Sequence, residues 1–527
     1  MPNVESEPTA QPEPQPTLTR RQALGTLGVA AVGGGVAVAV AAVNSRSQAG
    51  PVPPSSTALL AADMPLQLAR RASFGLTPGL LSEIVEQGPE EWLERQLDPG
   101  GIDDPEIDAL LGAYPLLGKS AAQLQAALGE GGDRRLAVNQ LVELTLARQI
   151  WSRRHLLEVM VDFWSNHFNV TTPLGPTFAT KPVEDAAVIR RHALGTFDEL
   201  LLADAQSPAM LIHLSNVDSR GDDPNENYGR ELLELHTVGV EAGYTEDDVR
   251  DSAYVMTGWG VADDGTFAFS ADAHYVGPLQ VMSWSDGNSN PAEGLAVGMD
   301  YLRYLAHHQQ TARHLSRKLA VRFVSDDPPD SLVDSLAASF RSGGTAIVPW
   351  LRTLFASPEF AASSGQKVRR PLEDVVASVR ALGIGPPPAD RTGGIAVLVE
   401  RTRVLGQAPL GADPPTGYPD VASAWLSTSA VLGRWNVHRL LTSAYFDGLD
   451  YPSLVTLAEQ VDPATMGELV DELCTALTGQ AFQPVHRSAL LTFLDADEAA
   501  PYDEASVTGS LPDLVALILD SPYHLLR

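Results

Sequence analysis

RRLAVNQLVELTLARQIWSRRHLLEVMVDFWSNHFNV, residues 134–170, sets the fold class. Apolar residues recur every three or four places along it, the period of an amphipathic α-helix. In its second half Leu156, Met160, Phe163, Trp164 and His167 share the apolar side, and Glu158, Asp162, Ser165 and Asn169 share the polar one. The same period runs through LQLARRASFG, LLSEIVEQGPEEWLERQL, AAVIRRHALGTFDELLLADA and ARHLSRKLAVRFV, with Gly and Pro as punctuation between them. Strand signals gather in one place. GVADDGTFAFSADAHYVGPLQVMSW, residues 260–284, alternates aromatic and polar residues around a DDG turn. The chain therefore reads as mostly α. One large helical domain, residues 64–527, carries a small β-hairpin or irregular excursion around 260–284.

Composition narrows the chemistry. A formal charge of -30 repels phosphate backbones and argues against a nucleic-acid partner. Cys474 is the single cysteine, so an intramolecular disulfide and a thiolate-held metal cluster are both excluded. Any metal must use His, Asp, Glu or carbonyl ligands. No G-x-S-x-G elbow, P-loop or dinucleotide loop is present. Residues 1–43 hold a polar leader and then TRRQALG, followed by an uncharged run from Ala23 to Val43. This resembles a twin-arginine-type export signal. Residues 44–63 form a Pro/Ser/Ala linker. The expected location is extracellular or in the cell envelope, with membrane contact only through an uncleaved signal.

NENYGRELLELHTVGVEAGYTEDDV, residues 225–249, concentrates groups that bind metals and move protons. On a regular helix Asn227, Arg230, Glu231 and Glu234 fall on one side, and Tyr228, Leu232, Leu233, Leu235 and His236 on the other. One helix cannot offer both glutamates and the histidine to one ion. His236, like His167, sits on an apolar face. Two helices thus each bury an imidazole whose ring nitrogens need partners: a metal, a cofactor, a carboxylate or backbone. Thr245 opens the next helix with Asp248 three residues on, an acidic capping box that accounts for TEDDV without chemistry. Arg313, Arg317, Lys318 and Arg322 make a basic stripe that binds an anionic substrate or pairs internally. His274 lies in the excursion.

LARRASFGLTP (68–78), MVDFWSNHFNV (160–170), NYGRELLELHTVG (227–239), YTEDDVRDSAYVMTGWG (244–260), HHQQTARHLSRKLAVRFV (307–324), KVRRPLEDVVASVRALG (367–383) and GYPDVASAWLSTSAVLGRWN (417–436) occur in this order. Together they resemble the bacterial family called domain of unknown function 1800, from about Met64 to the C-terminus. The resemblance implies a mainly helical, often exported protein, and an exported sulfatase-like partner. It marks Asn166, His167, Asn227, Arg230, Glu231, Glu234, His236, Trp259, His307 and Lys318. Similar proteins tend to read His-Asp-x-Gly-x-Lys where this chain reads HYVGPL, so Tyr275 and Leu279 replace an acid and a base while His274 is kept.

The expected function is an exported metal- or cofactor-dependent enzyme, hydrolytic or oxidative. His167 and His236 are its metal ligands. Asn227, Arg230, Glu231 and Glu234 are the catalytic set, and Asn166, Trp259, His274, His307 and Lys318 bind the cofactor. A divalent metal is the first expectation and haem the subordinate one. The alternative is a non-catalytic exported binding or assembly protein working with its partner.

Overall fold

The computed structural model describes residues 59–129, 131–172, 175–460 and 462–527. The stretches expected to be a leader and an export signal, and most of the expected linker, lie outside the described residues. Asp63 caps the first described helix, Met64–Arg71, by accepting a hydrogen bond from the Leu66 amide. Helices dominate the rest, and the chain from Ala58 to Arg527 forms one unit. Among the described residues no helix is long and apolar enough to cross a membrane.

The periodic run 134–170 folds as two helices, Arg135–Trp151 and His155–His167. Asp104 makes the break. Its carboxylate accepts from the Ser152 hydroxyl at 2.7 Å and from the Arg153 amide at 2.9 Å. The second helix is buried on both sides. Trp164 packs among Phe163, Phe168, Phe197 and Trp350. On the side read as polar, Glu158 takes a two-pronged bond from Arg190 and Asp162 takes Arg370 at 2.6 Å. The helix ends at His167, so Asn169 lies beyond it and holds the 410–420 loop through the carbonyls of Ala412 and Pro414.

The stretch 225–249 also departs from one regular helix. An α segment, Glu226–Glu231, widens into a π segment, Leu232–His236. Thr237 closes it by donating its hydroxyl to the Leu232 carbonyl at 2.6 Å. Gly229 sits where this element crosses helix Glu246–Val255: a Cβ there would lie 2.7 Å from the Ala253 amide nitrogen. The Thr245–Asp248 capping box is present as expected. Asp248 also accepts from the Met282 amide, and Asp251 from that of Gln280, which tie the excursion down.

The excursion is two small antiparallel hairpins. Trp259–Val261 pairs with Phe267–Phe269, and Leu279–Val281 with Trp284–Asp286. Ala262–Thr266 makes the first turn, with Gly265 at φ 78°.

Helix Pro371–Ala381 is buried at every position. Glu373 binds Arg322, meets Arg370 at 3.0 Å and lies 3.4 Å from Arg527. Asp420 lies 3.0 Å from Lys367 and 3.4 Å from Arg527, and Lys367 also holds Asp326 at 2.5 Å. This network joins the His155–His167 helix, the Gln309–Phe323 helix, the central helix and the C-terminal residues. The surrounding cations hold the Glu373 carboxyl far below the usual range, although burial opposes them. Glu373→Gln would strand buried guanidiniums, so a loss of about 3–5 kcal/mol is expected. Urea midpoints of the two proteins measure it.

Candidate functional site

Helix Gln309–Phe323 presents its cations in two sets. Arg313 and Arg317 pair with Asp330 at 2.9 and 2.5 Å, and Arg313 also binds Asp334. His314, Lys318 and Arg322, four residues apart, form a separate inward stripe. Arg322 ends in the Glu373 network. Lys318 pairs with no carboxylate among the described residues; its partner is an imidazole.

The Lys318 amine lies 2.8 Å from Nδ1 of His167. Nε2 of His167 lies 3.1 Å from the carbonyl oxygen of His236. A carbonyl can only accept, which places the ring hydrogen on Nε2. Nδ1 then offers its lone pair to the Lys318 ammonium. The His236 ring stands 6.1 Å from that of His167, and Phe168 touches both. Nδ1 of His236 and Nε2 of His314 are buried without a hydrogen-bond partner. Gly239 makes room for His314. It sits at φ 83°, and a Cβ there would come 2.7 Å from the ring.

Burial and mutual repulsion keep these rings neutral. Burial, then Lys318, His236 and His314, pushes His167 well below the ordinary histidine range. Burial, then Lys318, takes His236 to about 3 and His314 to about 4. Burial lowers Lys318 to about 8. Among the described residues the centre therefore holds one cation and no paired anion to balance it.

The two histidines expected as metal ligands do converge, but in a different arrangement. Both nitrogens of His167 are engaged, leaving no lone pair for an ion as it stands. Lys318 adds a positive charge that opposes one. Lys318, expected among the cofactor contacts, is instead the group in direct touch with His167.

The remaining expected residues lie elsewhere. Arg230 pairs with Glu246 at 2.6 Å and sits 3.9 Å from Glu226. Glu231 and Glu234 are half-buried beside one another, and burial, then Glu234, raises the Glu231 pKa. Asn227 is exposed, and its amide donates to the Asn225 cap. Asn166 clamps the 410–420 loop, donating to the Tyr418 carbonyl at 2.9 Å and accepting from its amide at 2.7 Å. Trp259 is a core side chain packed on Gly298, where a Cβ would lie 2.5 Å from the indole. His274 has both nitrogens beside oxygens, Thr257 O at 2.9 Å and Asn288 Oδ1 at 3.0 Å. Tyr275 stacks on Tyr254, and Leu279 is buried at the start of its strand. His307 is half exposed beside Asp198 at 3.4 Å.

The sequence reading passed over His314. Its four-residue spacing from Lys318 and Arg322 was the available signal. It also passed over Asp374, His438 and His524, whose meeting depends on the tertiary fold.

The depressed imidazoles have a consequence for stability. Unfolded, each takes a proton near its ordinary 6.5; folded, His236 waits until about pH 3 and His314 until about pH 4. Acid therefore favours the unfolded chain. Stability is unaffected by these groups above pH 6.5 and falls below it by about 1.4 kcal/mol per pH unit per ring. Urea unfolding between pH 7 and 4 should show this slope, and His236→Gln should flatten it. An unchanged slope would mean that the His236 ring titrates normally.

No curated protein and no solved structure matches the chain. One family model does, over residues 67–526, most of the chain. The chain belongs to the family described as Protein of unknown function (DUF1800).

Proposed function

We propose that the protein is an exported enzyme that uses the Lys318–His167 pair for acid–base chemistry on an anionic substrate. The observation that carries this reading is the half-buried Lys318 amine, brought to about 8 and paired only with a neutral imidazole. An amine in that range gives up its proton close to neutral pH, which suits a general base or a nucleophile. His167 holds the amine in one orientation through Nδ1 and is itself fixed by the His236 carbonyl. The protonated amine pairs with no carboxylate among the described residues, so a carboxylate, sulfate or phosphate group on the substrate supplies what the centre lacks. The unpaired nitrogens of His236 and His314 are further polar contacts for that group. Export rests on the TRRQALG signal.

The test has a chemical and a catalytic arm. Acylation of Lys318, followed by peptide mass spectrometry across pH 6–11, should rise with a midpoint near 8 and be slowed by added sulfate or phosphate. In a screen of anionic esters, Lys318→Met should lower kcat/KM by about 10²–10⁴ while the protein stays folded. His167→Gln should move the acylation midpoint. A midpoint at the ordinary lysine value of 10.5, or full turnover by Lys318→Met, would overturn the reading.

A further inference from the structure

Three buried side chains from three separate elements meet on another side of the central helix. Asp374 belongs to Pro371–Ala381, His438 to Thr428–Thr442 and His524 to Pro522–Leu525. They are 1%, 2% and 3% exposed. Nε2 of His438 lies 3.0 Å from Asp374 Oδ2, and Nε2 of His524 lies 3.9 Å from Asp374 Oδ1. Each residue offers one ligand atom, and all three atoms fall within 4.8 Å of one another. Asp374 Oδ1 is buried and accepts no hydrogen bond. The hydroxyl oxygen of Ser378 stands 3.0 Å from Nε2 of His524 and donates to the Asp374 carbonyl.

We propose that Asp374, His438 and His524 form a structural site for a divalent cation of the zinc class. Ligands about 2.0–2.1 Å from a tetrahedral ion lie about 3.3 Å from one another, between the 3.0 and 3.9 Å that separate Asp374 from the two rings. Two imidazoles and a carboxylate match the preference of a borderline ion. The surroundings match as well. Nδ1 of His438 lies 2.8 Å from Asp520 Oδ1, the carboxylate–histidine arrangement that orients metal-ligating rings. An ion entering this site replaces the proton shared between His438 and Asp374, and that proton leaves to solvent. Asp374 and Asp520 supply two negative charges. Arg434 acts on Asp374 and Arg369 on His524, so two cations oppose the ion. The site is closed by burial, so loading belongs to folding, and the ion would pin the C-terminal segment to the central helix.

The experiment refolds the full chain with zinc chloride or with EDTA, then dialyses and measures zinc and melting temperature. Stoichiometric zinc and a melting temperature several degrees higher in the zinc sample are expected. Cobalt refolded into the same chain should give the visible absorption of a tetrahedral ion. His524→Gln should lose the metal, and Asp520→Asn should weaken its binding by about 10–100-fold. Lys318→Met should keep it, which separates this site from the amine centre. A wild-type chain that holds no zinc and melts identically in both samples overturns the proposal, as does full zinc retention by His524→Gln. Where His524→Gln fails to fold, the wild-type zinc content, melting shift and cobalt spectrum decide.

Discussion

Helix Pro371–Ala381 is buried along its whole length yet carries Glu373, Asp374, Ser378 and Arg380. A buried polar group without a partner costs more than most single contacts contribute, and a lone buried charge costs more still. Each of these side chains therefore dictates what must surround it. Glu373 requires cations and receives Arg322, Arg370 and Arg527. Asp374 receives His438. Ser378 meets His524 and donates to the Asp374 carbonyl. Arg380 donates to the carbonyls of Gly75 and Ile150, and Gly75 lies so close to Ala377 that a Cβ on it would come within 2.8 Å. The partners come from the LARRASFG turn, the Gln309–Phe323 helix, the Thr428–Thr442 helix and the C-terminus. The ordered motifs of the sequence are in large part the complement of one helix.

Much of the helical fold was legible because burial of apolar surface imposes a period, and the period survives in the string. The capping box at Thr245 and the DDG turn were legible because they are local. What failed were the inferences that assumed polar means solvated. Glu158 and Ser165 were placed on a polar side, but their helix is buried on that side too. Glu158 is kept by Arg190, a residue thirty-two positions away whose partnership no pattern announces. The four basic residues read as one stripe in the sequence, although a helix divides them in two. Arg313 and Arg317 meet aspartates, while Lys318 faces inward.

The candidate site was legible in half. Two imidazoles on apolar faces implied convergence, and the rings stand 6.1 Å apart. What satisfies them was beyond the string. The π segment Leu232–His236 resets the turn before His236, so its carbonyl, rather than its ring, meets His167. The regular-helix geometry used for Glu231, Glu234 and His236 ends where that segment begins. Asp374, His438 and His524 lay in plain view as residues. Only the packing of three distant elements makes them neighbours.

The two centres differ in how charge is compensated. Around Glu373 acids and bases alternate, and each holds the other in its ionised form. The protein is rich in acids overall, yet among the described residues none pairs with the Lys318 amine; the nearest turn outward sets them against Arg313 and Arg317. An aspartate in the position of His167 would stabilise the ammonium and carry its pKa back up. A neutral imidazole accepts the same hydrogen bond while contributing no charge. Burial, with Lys318, His236 and His314 adding to it, makes protonating His167 costly, so the imidazole remains neutral. Burial thus keeps the rings uncharged and lowers the amine, and a neutral ring as its partner adds no charge that would oppose this.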